Sequence, residues 1–172
     1  MPANDTLAVS ISAAMNWVFS DTTDVLASTP RDAQTISPVY TWPDGTGANA
    51  ADMIWRDART LATGADESLD LSGVLEDVFG KVCAFARVKA LLIWNTSTIA
   101  SSILTVGNGA TPWQGWVSAL GSVTVRPGGM LLLVAPDATA WPVVGGASDI
   151  LKIANAAGGD ATYKIVIIGA SA

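Results

Sequence analysis

Val123-Thr124-Val125-Arg126-Pro127-Gly128-Gly129-Met130-Leu131-Leu132 is the stretch on which the fold turns. Two runs of β-branched and aliphatic residues flank a Pro-Gly pair. Pro127 presets φ for the first central position of a turn and Gly128 accepts the positive φ of the second, which is the chemistry of a type II turn. The expectation is a hairpin. A second hairpin is expected from 151–154 to 163–168, joined across 155–160 by a loop containing Gly158-Gly159. After Lys164 the last of these strands is apolar on both faces, which marks a central strand.

Working outward, the chain from Ala51 onward breaks into short runs of β-branched, leucine and aromatic residues separated by Gly, Pro, Asn and Asp. That spacing is the signature of an all-β sandwich or barrel. Strands are expected near 53–61, 68–71, 82–94, 103–106, 122–125, 130–134, 150–154 and 162–168. One short helix is expected over 72–80, where Val74/Val78 and Leu75/Phe79 stand four apart before Gly80. The first fifty residues differ in texture, being rich in Asp, Thr, Ser and Pro. Within them Leu7-Ala8-Val9-Ser10-Ile11 alternates like a strand and Trp17-Val18-Phe19 is strongly apolar. The expected fold is an antiparallel, jelly-roll-like β-sandwich over 51–172, with an amino-terminal β-arm or extra strand layer over 1–50.

Composition restricts function. Half of the residues are hydrophobic and the mean hydropathy is +0.41. Yet the apolar run Met130-Leu131-Leu132-Leu133-Val134-Ala135 is far short of the roughly 18 to 20 residues a membrane helix needs. The excess apolar surface must be buried by protein, either within the chain or by neighbouring subunits. Nine basic against fifteen acidic residues give a net charge of −6, with no clustered Lys and Arg, so nucleic acid is not expected as a partner. No membrane partner is expected either. The first basic residue after the amino terminus is Arg31, which does not suit a secretory signal, and synthesis in a cytoplasm is expected. The sequons at Asn4 and Asn95 then read as chance. Cys83 is alone and lies in an apolar run, as a core residue would.

The chain has no histidine. This removes the commonest general base, the commonest metal ligand and every Ser-His or Cys-His nucleophile. The acidic run Asp66-Glu67-Ser68-Leu69-Asp70 misses the calcium-loop pattern and reads as a solvated turn before a strand. Asp52 and Asp57 flank Met53-Ile54-Trp55-Arg56 and are placed to pair with Arg56 or Arg59 as structural ion pairs. Gly107-Asn108-Gly109 lacks a third glycine and a following helix, so it reads as a turn and not as a nucleotide site. No catalytic, cofactor or metal site is expected. Seven tryptophans remain to be explained. Some fill the core, and others suit an interface or a sugar-binding surface. Trp42 and Trp113, each beside a proline, and Trp17 with Phe19 are the candidate partner contacts. Val166 and Ile168 join them as the second apolar face of the last strand.

Several segments together resemble small virion structural proteins of tailed bacteriophages. They are Gly47-Ala48-Asn49-Ala50-Ala51-Asp52-Met53-Ile54-Trp55-Arg56-Asp57-Ala58-Arg59-Thr60-Leu61, Leu69-Asp70-Leu71-Ser72-Gly73, and Phe85-Ala86-Arg87-Val88-Lys89-Ala90-Leu91. Val125-Arg126-Pro127-Gly128-Gly129-Met130-Leu131-Leu132, Ala135-Pro136-Asp137-Ala138-Thr139 and the tail Ile167-Ile168-Gly169-Ala170-Ser171-Ala172 continue the series. The resemblance implies a capsid cement or decoration protein on the outer surface of a virion head, a homotrimer that bridges subunits of the major capsid protein. None of the motifs carries catalytic residues. The alternative is a spike, fibre or tail-associated module that binds a cell-surface glycan through exposed tryptophans.

Overall fold

The computed structural model describes residues 6–20, 31–118 and 120–172, so the Asn4 sequon lies outside the described residues. Among them there is no helix. The strands are β1 (Val9–Ser12), β2 (Met15–Ser20), β3 (Arg31–Ile36), β4 (Val39–Trp42), β5 (Met53–Leu61), β6 (Asp66–Asp70), β7 (Ser72–Glu76) and β8 (Val82–Ala84). They continue as β9 (Arg87–Asn95), β10 (Leu104–Gly107), β11 (Ser122–Val125), β12 (Met130–Val134), β13 (Trp141–Pro142), β14 (Ile150–Asn155) and β15 (Ala161–Ala170).

Two antiparallel sheets form the body. One has the order β12-β9-β15-β5, with β13 extending the pairing of β9, and the other has the order β11-β10-β14-β6. The pairing is nested: β5 with β15, β6 with β14, β9 with β12, and β10 with β11. Period-2 alternation sends Trp55, Leu91, Ile93, Ile165 and Ile167 of the first sheet inward to meet Leu69, Leu104, Val106, Leu151 and Ile153 of the second. The all-β antiparallel sandwich is thus as expected, and β15 is the expected central strand, held between β9 and β5.

Neither expected hairpin exists. β11 and β12 lie in different sheets, as do β14 and β15. The turn itself is as read: Gly128 has φ +76° and the Gly129 N–H donates to the Arg126 carbonyl at 2.8 Å. A type II turn splays its flanking strands, whereas tight hairpins favour the mirror-image types, so this turn makes an arch from one sheet to the other. Buried Asn95 holds the arch together. Its side-chain amide donates to the carbonyls of Ser102 and Val125, and its backbone N–H donates to Gly129 O. Asn155 does the same at the second crossing, donating to the carbonyls of Leu61, Ala62 and Gly159.

The expected helix over 72–80 is a hairpin of β7 and β8. Gly73 at φ +137° opens a register shift, and the Asp77 carboxylate accepts the N–H groups of Phe79 and Lys81 at 2.8 and 2.9 Å. That carboxylate satisfies the turn locally, an alternative to helix that aspartate is suited to provide. The acidic run at 66–70 is not a solvated turn but strand β6 itself.

The amino-terminal strands form one ribbon. Pairing runs in a single register from Val9↔Trp42 through Ser12↔Val39 and Met15↔Ile36 to Ser20↔Arg31, with the Ala13 N–H donating to Pro38 O between the two paired stretches. At about 3.4 Å per residue the ribbon spans on the order of 40 Å. Its base lies on the outer face of the β12-β9-β15-β5 sheet, where Val9, Ile11, Tyr40 and Trp42 pack with Ile54, Ala90, Val134 and Ile168.

Candidate interaction surface

The base of the ribbon is fixed by two cations from β9. Arg87 donates to the carbonyls of Thr46 and Gly47, and Lys89 donates to those of Ala48 at 2.7 Å and Asp137 at 3.0 Å. Lys89 is fully buried, and desolvation lowers its pKa from the usual lysine range. These bonds hold the loop that follows β4 and so set where the ribbon leaves the body.

Along the ribbon, odd-numbered residues of β1 and β2 share a face with the even-numbered residues opposite them. At the base this face is Val9, Ile11, Tyr40 and Trp42, turned onto the sheet. The same face continues distally as Met15, Trp17, Phe19 and Ile36. There it covers no other element among the described residues: β2 and β3 pack chiefly on each other, and Phe19 is 74% exposed. The Trp17 indole is half-buried and oriented by donation to Asp32 at 2.9 Å. Thr35 donates to Asn16 on the opposite face. A two-stranded ribbon alone is at best marginally stable in water, and its apolar face is the part that gains from a partner.

The second surface lies on the body. Beyond the ribbon base, the outer face of the same sheet presents half-buried Leu92 and Leu132, with Trp94 at 41% and Met130 at 65% exposure, and half-buried Val166 borders the ribbon contact. Lys164 lies over the Trp94 ring at 5.5 Å, and Arg56 stands opposite Val166. The patch is apolar in the middle and basic along the β5 side.

The candidate residues therefore divide. Trp17, Phe19 and Val166 lie on these surfaces. Trp42 is 4% exposed, stacked on Tyr40 at 6.5 Å beneath the ribbon base, and Ile168 is buried under it. Trp113 is 2% exposed and packs with Trp116 and Trp141 at 6.0 and 6.2 Å. A neighbouring proline suggested exposed loops for Trp42 and Trp113, but both indoles fill the chain's own interior and leave no surface for a partner. Trp94 and Met130 were not among the candidates. The signal was the alternation Leu92/Trp94 against Leu91/Ile93, which makes β9 two-faced.

Two other features lie apart from these surfaces. Arg59 pairs with Asp57 at 3.0 Å and Glu67 at 2.7 Å and lies over Trp55, while the Tyr163 hydroxyl donates to Glu67. Burial and the adjacent carboxylate raise the Tyr163 pKa. Glu67 is thereby committed to tying β5, β6 and β15 together. A cavity of about 380 Å³ opens between the ribbon base, the start of β5 and the β7–β8 hairpin, lined by Leu7, Ile54, Phe79, Val82 and Cys83 among others. Burial pushes the Cys83 thiol up to about 11, so it is protonated, and not a nucleophile, at neutral pH. Among the described residues, no three His, Cys, Asp or Glu side chains cluster as metal ligands. Compared with protein families, with curated proteins and with solved structures, the chain finds no match.

Proposed function

We propose that this protein is a non-enzymatic capsid cement protein of a tailed bacteriophage, self-associated as a homotrimer and seated on the outside of the head across subunits of the major capsid protein. The resemblance of its strand-and-turn segments to virion structural proteins suggests the setting. One observation carries the reading: two apolar surfaces, the distal ribbon face and the outer face of the β12-β9-β15-β5 sheet beyond the ribbon base, stand open among the described residues. Such surfaces belong to assembly. The nested strand pairing fits a jelly-roll wrapping, in which the chain folds as one long hairpin rolled into two sheets. Cement proteins act by many symmetric contacts, so modest affinities at each copy sum to a large stabilisation of the shell.

The test is co-sedimentation of the purified protein with undecorated heads, together with micrographs of labelled virions. Saturable binding to heads and label spread over the capsid are expected. Label confined to the tail would replace this reading with that of a glycan-binding tail or fibre module, for which exposed Trp94 would be the stacking residue.

A further inference from the structure

We infer that the distal half of the ribbon docks on the open outer sheet face of a neighbouring copy of this chain, so that each protomer covers the next in a head-to-tail ring. The inference rests on the assembly reading above and names the partner of its two surfaces.

Three observations lead to it. First, the ribbon already makes this kind of contact within its own chain. Val9, Ile11, Tyr40 and Trp42 cover one end of the outer face of the β12-β9-β15-β5 sheet. By alternation in one register the same ribbon face carries Met15, Trp17, Phe19 and Ile36 farther along, so the distal half continues that apolar face with no sheet beneath it among the described residues. Second, each chain also carries the missing counterpart. The outer face beyond its own ribbon presents Leu92, Trp94, Met130 and Leu132, with Val166 at the edge of the ribbon contact. Third, the charges match. Asp32 stands on the apolar ribbon face beside Trp17 and opposite Phe19, whereas the open sheet face is flanked by Arg56 and Lys164. Neither of these two cations forms a salt bridge among the described residues.

The contact joins two different patches and is therefore heterologous. A heterologous contact that closes gives a ring, which makes a trimer a natural outcome. Contact between two ribbons alone would leave every sheet face open.

The experiment uses the full chain carrying Phe19→Asp or Trp94→Asp, both at exposed positions, with light scattering for mass and circular dichroism for fold. Each variant alone should keep the wild-type spectrum but associate at least ten-fold more weakly, running as a monomer at micromolar concentration with a melting temperature that no longer depends on concentration. An equimolar mixture should recover a dimer, because each variant retains the surface its partner lacks. Asp32→Lys and Lys164→Asp should each weaken association, and the double variant should restore it. If either aspartate variant keeps the wild-type mass, or the mixture stays monomeric, the inference is overturned. If Phe19→Asp keeps its mass but no longer binds heads, the ribbon's partner is the capsid protein, which overturns this inference and leaves the cement reading standing. Failure of the wild-type protein to bind heads would remove the cement reading whatever the association data say.

Discussion

On the β11-β10-β14-β6 sheet the outward positions include Thr105, Thr124, Lys152, Ser68 and Asp66, and Lys152 reaches Asp66 at 3.2 Å. On the β12-β9-β15-β5 sheet the corresponding positions are Leu92, Trp94, Met130, Leu132 and Val166, with Ala90, Val134 and Ile168 beneath the ribbon. The two sheets share antiparallel pairing and a common core, though β13 gives one of them a fifth strand. They differ chiefly in the residues alternation turns outward. An antiparallel sheet needs one buried face, and the second face is free to be polar or to be covered. The first sheet is finished by water. The second is finished partly by its own ribbon, and the remainder is available for assembly.

The comparison can be broken most severely from within. Ile93→Ala on the inner face of β9, at a fully buried position, should cost about 2–5 kcal/mol and lower the denaturant midpoint of the whole chain. Trp94→Ala, one residue on, should leave that midpoint nearly unchanged in the monomer. Equal destabilisation by the two would mean that β9 is buried on both faces within a single chain.

Trp42→Ala tests whether the ribbon base belongs to the body. Removing an indole 4% exposed should cost about 3 kcal/mol, since large aromatic truncations in packed sites cost 3–5, and should expose Ala90 and Ile168 to water. Faster hydrogen exchange at β15 and at residues 39–42, with the inner sandwich still protected, is the expected pattern. A loss confined to head binding, with unaltered stability, would instead separate the ribbon from the fold.

A third test concerns the polar sheet. Asp149, just before β14, is buried and accepts bonds from the Gly146 N–H and from the hydroxyls of Thr111 and Ser72. Chiefly through the Gly146 N–H, these bonds hold its pKa below the usual carboxylate value. A carboxylate with a depressed folded pKa stabilises fully above its unfolded pKa. That contribution is lost as the pH falls through the ordinary carboxylate range toward the folded value. Asp149→Asn should cost about 1–3 kcal/mol at neutral pH and flatten the acid limb of the stability curve, as read by thermal melts from pH 7 to 3. An unaltered acid limb would show that other carboxylates carry it.

The smallest effect is expected on the water-facing side. Lys152→Ala removes an exposed ion pair worth about 0–1 kcal/mol, and should change neither association nor melting temperature measurably. A drop in oligomer mass would place an interface on this sheet and cancel the contrast between the two faces.

Much of the secondary structure was legible in the residues. Strands 53–61, 122–125 and 130–134 fall where alternation and turn chemistry put them, and the two-faced character of β9 and β15 follows from period 2 alone. The Pro127-Gly128 turn is also a local property, because φ preferences of proline and glycine act over four residues. The helix expectation failed for a related reason. Four-residue spacing of Val74/Val78 and Leu75/Phe79 is compatible with a hairpin once Asp77 and Gly80 close a turn, and only packing of Leu75 and Cys83 on the core chooses between them. Which sheet each strand enters is another kind of fact. Both expected hairpins proved to be arches, because strand partners are chosen across long sequence separations, by β5 with β15 and β6 with β14, and by the amide groups of Asn95 and Asn155 that bind carbonyls at each crossing. The burial of Trp42 and Trp113 and the exposure of Trp94 were decided in the same way. Sequence alone determined that this chain makes strands, where it turns, and which strands are apolar on both sides. Tertiary structure decided which of those faces the chain could cover itself, since burial depends on what the rest of the fold brings to a residue and not on the residue alone.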